Sequence, residues 1–526
     1  MERRFLMGNE AVALGALHQG AARGTGYPGT PSSEILEYFS GFGGAAEWAP
    51  NEKVAAEVAL GVAFAGVRAF VTMKHVGLNV AADVLFTAAY SGVDGALVFV
   101  VADDPGLASS QNEQDSRRYA VAAGVPMLEP SDSQEAYDYT RLAFDVSERW
   151  KLPVILRLTT RVCHSGTIVA PRAPVAELPE AHFERNIPHR VMVPAHARAA
   201  HRRLRQKLAE IVEWNEREGP NELVEGSGDL GVIASGVAYQ HAREAAKDAS
   251  FFKVGMSYPL PMRAILSFAA SVKRCVVIEE NDPYLADAVR AAGGRIESAP
   301  ELYRFGELDV GRVRRIFRGD VSPEPAAQRG KPPQLCAGCP HRTVFEILKR
   351  HDCIVAGDIG CYTLGALEPL AAMDTQICMG ASIGVGLGLR HVLPRKEAKR
   401  VVSVIGDSTF VHSGLTGLAE MAYNVPSTGH VLLILDNATT AMTGQQEHPG
   451  TGRLLNRAPT NTLDYARVAE AMNIPYVEVY DPVAEADAFE SALLRALERD
   501  ELTVLIARRP CILSVARQRA EPANQG

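Results

Sequence analysis

Short, unbroken apolar runs recur along the chain, each bounded by Gly, Pro, Asp or Asn. Residues 96–102 (ALVFVVA) run into Asp103-Asp104-Pro105-Gly106, and 154–158 (VILRL) follow Pro153. Further runs lie near 230–234, 275–278, 401–405 and 431–435. Runs of this length without polar alternation suit strands covered on both faces, as in a parallel sheet. Stretches of helical texture such as 51–66 lie between them, so the alternation predicts an α/β chain of doubly wound domains. Over 171–225 the pattern changes. Leu204, Leu208 and Ile211 repeat at i, i+4 and i+7 among Arg, Lys and Glu, the stripe of an amphipathic helix. The Pro-rich, charged stretch SPEPAAQRGKPP begins at Ser322 and reads as a linker. The expected layout is a first α/β domain over 1–170, a helical connector over 171–225, a second α/β domain over 226–321, a linker over 322–334, a third α/β domain over 335–517 and a tail over 518–526.

A length of 526 residues with 47% hydrophobic and 22% charged residues excludes a mainly disordered or fibrous chain. The net charge of −8 provides no general basic field, so neither nucleic acid nor a membrane surface is an expected partner. No apolar run approaches the roughly 20 residues that span a bilayer, and MERRFLMGNE has no apolar secretory core. The expected location is cytoplasmic. In that compartment disulfides are rare, so cysteine clusters read as metal or redox ligands. Five of the eight cysteines fall between Cys336 and Cys378.

The predicted strand 401–405 runs directly into Gly406-Asp407-Ser408, and the strand 431–435 ends in Asp436-Asn437. Positions 407 and 437 are 30 residues apart, room for a helix and a return strand. A parallel βαβ unit places both at the carboxyl edge of one sheet, where ligands bind in open α/β folds. A carboxylate, an amide oxygen and a backbone carbonyl are hard ligands suited to Mg²⁺ that keeps substrate phosphates. Two unrelated turns would give the same letters.

Together with their surroundings, these residues resemble the thiamine diphosphate signature. The blocks GDSTFVHSGLTGL, LDNATTAMTGQQEHPG, YPGTPSSEI, NEKVAAEVALG, TMKHVGLNVAAD, CAGCPHR, GDIGCYTLG and CMGASIGVGLGL resemble the alpha subunits of indolepyruvate:ferredoxin oxidoreductase, within the thiamine diphosphate-dependent 2-oxoacid:ferredoxin oxidoreductases. The resemblance implies a pyrimidine-binding domain first, a transketolase-C-terminal-like domain second and a diphosphate-binding domain last. It implies a cofactor site of Gly406, Asp407, Ser408, Asn437, Thr439 and Thr443, with Mg²⁺ on Asp407, Asn437 and the carbonyl of Thr439. Glu52, with Gly61 nine residues on, matches the glutamate that favours the imino form of the cofactor's aminopyrimidine. Glu57 is the competing carboxylate, better read as a helical ion-pair partner. Thr30 matches a threonine that bonds the 2-oxo acid. His75 is a candidate for orienting substrate or a proton, and Arg117 or Arg118 for meeting the substrate carboxylate.

Cys336 and Cys339 form a CxxC, a spacing that zinc ribbons and redox pairs share; the resemblance implies that they hold a [4Fe–4S] cluster together with Cys361 and Cys511, rather than zinc or no metal. Cys163, Cys275, Cys353 and Cys378 read as buried thiols, with Cys378 a possible substitute ligand. The implied reaction is oxidative decarboxylation of an arylpyruvate to arylacetyl-CoA and CO2, with coenzyme A as cosubstrate. The implied partners are a small beta subunit, in an α2β2 assembly, and ferredoxin or another low-potential acceptor. Many alpha subunits carry a C-terminal ferredoxin-like extension; this sequence has no such cysteine run after Cys511, so electrons are expected to pass directly to a ferredoxin or a partner subunit. Two rivals stand beside this expectation: a non-oxidative arylpyruvate decarboxylase, which leaves the four cysteines without purpose, and a catalytically silent scaffold, which has no need of Glu52, Asp407 and Asn437.

Overall fold

The computed structural model describes residues 3–324 and 333–520. The chain divides into two compact units, Met1–Pro325 and Ala326–Gly526. Of the expected linker, 325–332 lie outside the described residues, as do 521–526 of the expected tail; the start of that tail continues the helix Ile512–Ala520.

The first unit holds two large sheets. One has seven strands in the order Met256–Tyr258, Met127–Leu128, Val154–Thr159, Ala96–Asp103, Arg68–Lys74, Arg23–Gly26 and Ala46–Trp48. All neighbours are parallel except the first pair. Every residue of the central strand Ala96–Asp103 is buried, which is why that run carries no polar alternation. The parallel register aligns strand ends: Lys74 pairs with Ala102, and Asp103 with Thr159. The segments after Gly26, Lys74 and Asp103 therefore emerge along one carboxyl edge.

The second sheet has the order Glu297–Ser298, Arg274–Ile278, Leu230–Ser235, Ser250–Val254 and Glu222–Val224. It begins inside the expected connector, because Glu222–Val224 pairs antiparallel with Ser250–Val254 as its edge strand. The rest of the connector supplies the helix Pro194–Arg217, whose Leu204, Leu208 and Ile211 are buried as their spacing predicts. The chain leaves Ser250–Val254 and returns at once to the edge of the seven-stranded sheet as Met256–Tyr258. The two sheets therefore share one unit. A buried network joins them: Arg117 pairs with Asp115 at 2.6 Å and with Glu279 at 2.8 Å, and Arg157 pairs with Asp103 at 2.7 Å and Glu129 at 2.8 Å.

The second unit has a five-stranded, fully parallel sheet in the order Ile354–Ala356, Val401–Gly406, His430–Asp436, Leu502–Arg508 and Tyr476–Tyr480. Side chains alternate between its faces. Val404, Leu433 and Leu505 pack with the helices Pro340–Arg350 and Ala486–Glu498 on one face. Ile405, Ile434 and Ile506 pack with Ala381–Val392 and Leu415–Tyr423 on the other. That is a doubly wound layer, and register again aligns the ends: Gly406 with Leu435, Asp436 with Arg508.

Candidate active site

The second unit collects most of the predicted residues at its carboxyl edge. Asp407 follows its strand as the first residue of a helical stretch, and Asn437 follows the neighbouring strand. Both are buried. Asp407 Oδ1 accepts from the Ser408 N–H at 2.8 Å, whereas Oδ2 is buried without a hydrogen-bond partner. Asn437 Oδ1 accepts from the Thr439 N–H at 3.2 Å, which holds the start of the following loop over the strand ends. Ser408 and Thr440 hydroxyls bond at 2.8 Å, and the Thr443 hydroxyl donates to Gln446 at 2.6 Å, so these side chains brace the loop. Burial and the neighbouring Asp407 push the Asp436 carboxyl up, although Arg508 Nε donates to it at 2.7 Å. Two adjacent buried carboxylates, one of which raises the other's affinity for protons, make a site short of positive charge. A hard divalent cation fits that donor set.

The four predicted cysteines line one cavity together with His341 and Asn437. Cys361 opens a short 3-10 turn whose Thr363 hydroxyl donates to the Asp358 carbonyl at 2.9 Å, while the Asp358 carboxylate accepts from the N–H groups of Gly380 at 2.9 Å and Ser382 at 3.0 Å. Cys339 caps the helix Pro340–Arg350, and its N–H donates to the Cys336 carbonyl at 3.1 Å. The Cys511 N–H donates to the Asn437 carbonyl at 2.9 Å, so a cavity cysteine and a candidate metal ligand share a hydrogen bond. Burial pushes the Cys361 thiol up to about 11, and the charges of Cys511, Cys339 and Cys336 add to it. Among the described residues no group of three His, Cys, Asp or Glu is drawn together tightly enough to hold one ion. A four-iron cluster asks for something different, since each of four thiolates meets a different iron and the four stand further apart. Four soft ligands around one cavity fit that group.

In the first unit Glu52 begins the helix Glu52–Phe64, capped by Asn51. Its buried carboxyl lies against Gly77, so closely that a β-carbon there would stand 2.5 Å from Oε1. Glu57 is exposed and pairs with Lys53, as expected of a helical ion pair. Thr30 sits in the turn after Arg23–Gly26, and its carbonyl accepts from the Ser109 hydroxyl at 3.3 Å. The His75 ring is wholly buried at the start of the helix His75–Ser91, with Nε2 on the Asn112 carbonyl at 3.1 Å and Nδ1 without a hydrogen-bond partner among the described residues. Arg117 is engaged elsewhere, because its guanidinium is buried between Asp115 and Glu279; Arg118 is exposed, 4.0 Å from Asp287.

The buried cation beside the other candidates is Lys74. Its Nζ donates to the Ser109 carbonyl at 3.0 Å, its stem packs on Gly29, and burial lowers its pKa against the pull of Asp104 and Glu52. Of the four other cysteines, Cys163 and Cys275 are buried as expected, whereas Cys353 is half-buried and Cys378 exposed. Sequence reasoning missed Lys74, His341 and His448. Lys74 had a signal, because a lysine closing an apolar strand is unusual; the histidines had none outside their fold partners.

Residues 15–207 match the family described as pyruvate flavodoxin/ferredoxin oxidoreductase, thiamine diphosphate-binding, and residues 358–507 match the thiamine pyrophosphate enzyme, C-terminal TPP-binding domain. The fold resembles the solved 2-oxoglutarate:ferredoxin oxidoreductase from Magnetococcus marinus with a TM-score of 0.52 at 18% identity, over 61% of this chain and 65% of that one. The class is therefore that of thiamine diphosphate-dependent 2-oxoacid:ferredoxin oxidoreductases. Within it, the chain is 41% identical to the indolepyruvate oxidoreductase subunit IorA of Archaeoglobus fulgidus, over 98% of this chain and 88% of that protein. It is 37% identical to the IorA of Thermococcus kodakarensis, over 97% of this chain and 86% of that protein. The chain belongs to the family of indolepyruvate oxidoreductase IorA subunits. Among the described residues no helix is long and apolar enough to cross a membrane.

Proposed function

We propose that this chain is the large subunit of an enzyme that oxidises indolepyruvate or a related arylpyruvate with coenzyme A, giving the arylacetyl-CoA, CO2, a proton and two electrons. The observation that carries the oxidative reading is the cavity of Cys336, Cys339, Cys361 and Cys511 bordered by Asn437. These thiols would hold a [4Fe–4S] cluster, and Asp407, Asn437 and the Thr439 carbonyl would hold Mg²⁺ on the cofactor's diphosphate, with Gly406, Ser408 and Thr443 shaping the loops around it. Thiamine diphosphate, when bound, supplies the carbon nucleophile and the electron sink for decarboxylation.

The chain's own residues do the rest. Glu52, fixed against Gly77, holds a proton at the pyrimidine ring. Thr30 orients the 2-oxo acid, and Lys74, tied to a neutral carbonyl in place of a carboxylate, offers its ammonium to the substrate carboxylate. A small beta subunit, ferredoxin or another low-potential acceptor, and a cytoplasmic location go with this reading.

The test is anaerobic purification with any co-purifying small subunit, followed by iron quantification and dye reduction with indolepyruvate and coenzyme A. About four irons per chain, coenzyme A-dependent reduction, and loss of electron transfer in Cys511→Ala are expected. Iron-free protein that releases aldehyde whether or not coenzyme A is present would favour the non-oxidative decarboxylase instead.

A further inference from the structure

Two buried histidines face the two candidate metal ligands, and the hydrogen bonds around them specify opposite tautomers. His448 lies in the loop 441–451, where Gly450 approaches Tyr465 so closely that a β-carbon would overlap its hydroxyl at 1.6 Å. That approach lets the Gly450 N–H donate to His448 Nδ1 at 3.2 Å. With Nδ1 accepting, the ring proton is on Nε2. Among the described residues neither Nε2 nor Asp407 Oδ2 has a hydrogen-bond partner; both are buried, and they face each other at 3.3 Å. A protonated Nε2 cannot ligate a metal; it can only donate, and the oxygen it faces is the one without a donor.

His341 is the converse. It follows Cys339 on the helix Pro340–Arg350, with its ring set edge-on against Tyr362 at 6.1 Å between centroids. Its Nε2 lies 3.2 Å from Asn437 Nδ2. Because Asn437 Oδ1 is turned to the Thr439 N–H, the amide NH2 is the group that meets His341, so Nε2 accepts and the ring proton is on Nδ1.

We propose that His448 and His341 are positioning residues for the Mg²⁺-diphosphate site, His448 by donating to Asp407 Oδ2 and His341 by accepting from the Asn437 amide so that its oxygen faces the metal. The inference rests on the metal site proposed above. Neither histidine touches the metal; each fixes the one orientation in which its partner ligates. His341 has a second consequence: it lines the cysteine cavity, so Asn437 is held by His341 through its amide and by the Cys511 N–H through its carbonyl. A change at His341 therefore reaches both groups, whereas a change at His448 reaches the metal alone.

The test uses the anaerobically purified full-length chain with any co-purifying small subunit, thiamine diphosphate, and Mn²⁺ as the probe, with free Mn²⁺ counted by electron paramagnetic resonance. His448→Phe and His341→Phe should each weaken Mn²⁺ binding 10- to 100-fold, as removal of an outer-shell partner does. His448→Gln and His341→Gln, whose amides can both donate and accept, should bind close to wild type. The cluster's resonance should move in His341→Phe and stay unchanged in His448→Phe. Nitrogen-15 spectra of histidine-labelled wild-type protein, assigned with the two Gln variants, should give an Nε2-protonated His448 and an Nδ1-protonated His341, an outcome that needs no Phe variant to fold. Wild-type Mn²⁺ affinity in both folded Phe variants, or the same tautomer at both rings, would overturn the proposal. Asp407→Asn separates the two levels. Unchanged Mn²⁺ binding in that variant would overturn the metal site itself, whereas lost binding there beside wild-type affinity in both Phe variants overturns only the histidines' part.

Discussion

Gly77→Ala tests whether the position of Glu52, rather than its mere presence, supports the reaction. Gly77 is the third residue of the helix His75–Ser91, and it has no unusual backbone angle to preserve. Its lack of a side chain serves the close approach of Glu52. An alanine β-carbon would stand 2.5 Å from Oε1, 2.7 Å from Cγ and 2.8 Å from Cδ, where ordinary contact begins at 3.4 Å. The carboxyl must therefore move by about 0.9 Å, the difference between 3.4 and 2.5 Å. Turning a side chain that far off its rotamer costs about 0.5–1.5 kcal/mol, while alanine in place of glycine favours the helix by about 0.8–1.0 kcal/mol. Stability is expected to change by less than about 1 kcal/mol in either direction.

Activity should behave differently, because a misplacement of about 1 Å in a positioned group can cost about 10²-fold in rate. The assay is kcat/KM for coenzyme A-dependent dye reduction, read beside a thermal melt, with Glu52→Gln as the comparison. Gly77→Ala should melt like wild type and lose about two orders of magnitude in kcat/KM. A variant that melts normally and turns over normally would refute the placement of Glu52 at the reacting ring.

Other outcomes follow from buried charge. Lys74→Met should raise KM for the 2-oxo acid about 10- to 100-fold, the worth of one charge-assisted hydrogen bond, with a smaller effect on kcat. Arg117→Met would leave the Asp115 and Glu279 carboxylates buried without their shared cation, and should destabilise the first unit by about 3–5 kcal/mol in a denaturant melt. Glu280 is buried, accepts from the Leu308 N–H at 3.2 Å, and is pushed up to about 7 by burial. Its contribution is fully present below the ordinary glutamate range and is lost as pH rises toward 7, a fall on the order of 3 kcal/mol. Glu280→Gln, which cannot ionise, should therefore be more stable than wild type at pH 8 and lose that advantage by pH 4–5, as melts at the two pH values would reveal.

What was legible in the sequence was what a strand and its own following turn decide. The runs at 96–102, 401–405 and 431–435 became buried parallel strands, because a strand covered on both faces selects apolar side chains and keeps a polar one, such as Ser403, only where it is hydrogen-bonded. The Gly406-Asp407 and Asp436-Asn437 turns came together because parallel register aligns strand ends whatever the helix between them does. Cys361 and Cys511 follow from the same rule, as each stands a few residues beyond the end of a strand in that sheet. Three roles came from contacts between distant segments. Arg117 was a substrate candidate by letter, and only the return of the chain to place Glu279 beside it, 162 residues on, made it a buried structural cation. His341 meets Asn437 across 96 residues, and His448 faces Asp407 from a loop shaped by Gly450 against Tyr465. No local pattern specifies such pairs. A hydrogen bond depends on where two side chains end up in space, and local periodicity records only which face each residue presents; the tertiary structure decides which donors and acceptors meet, and with that which histidine nitrogen carries the proton.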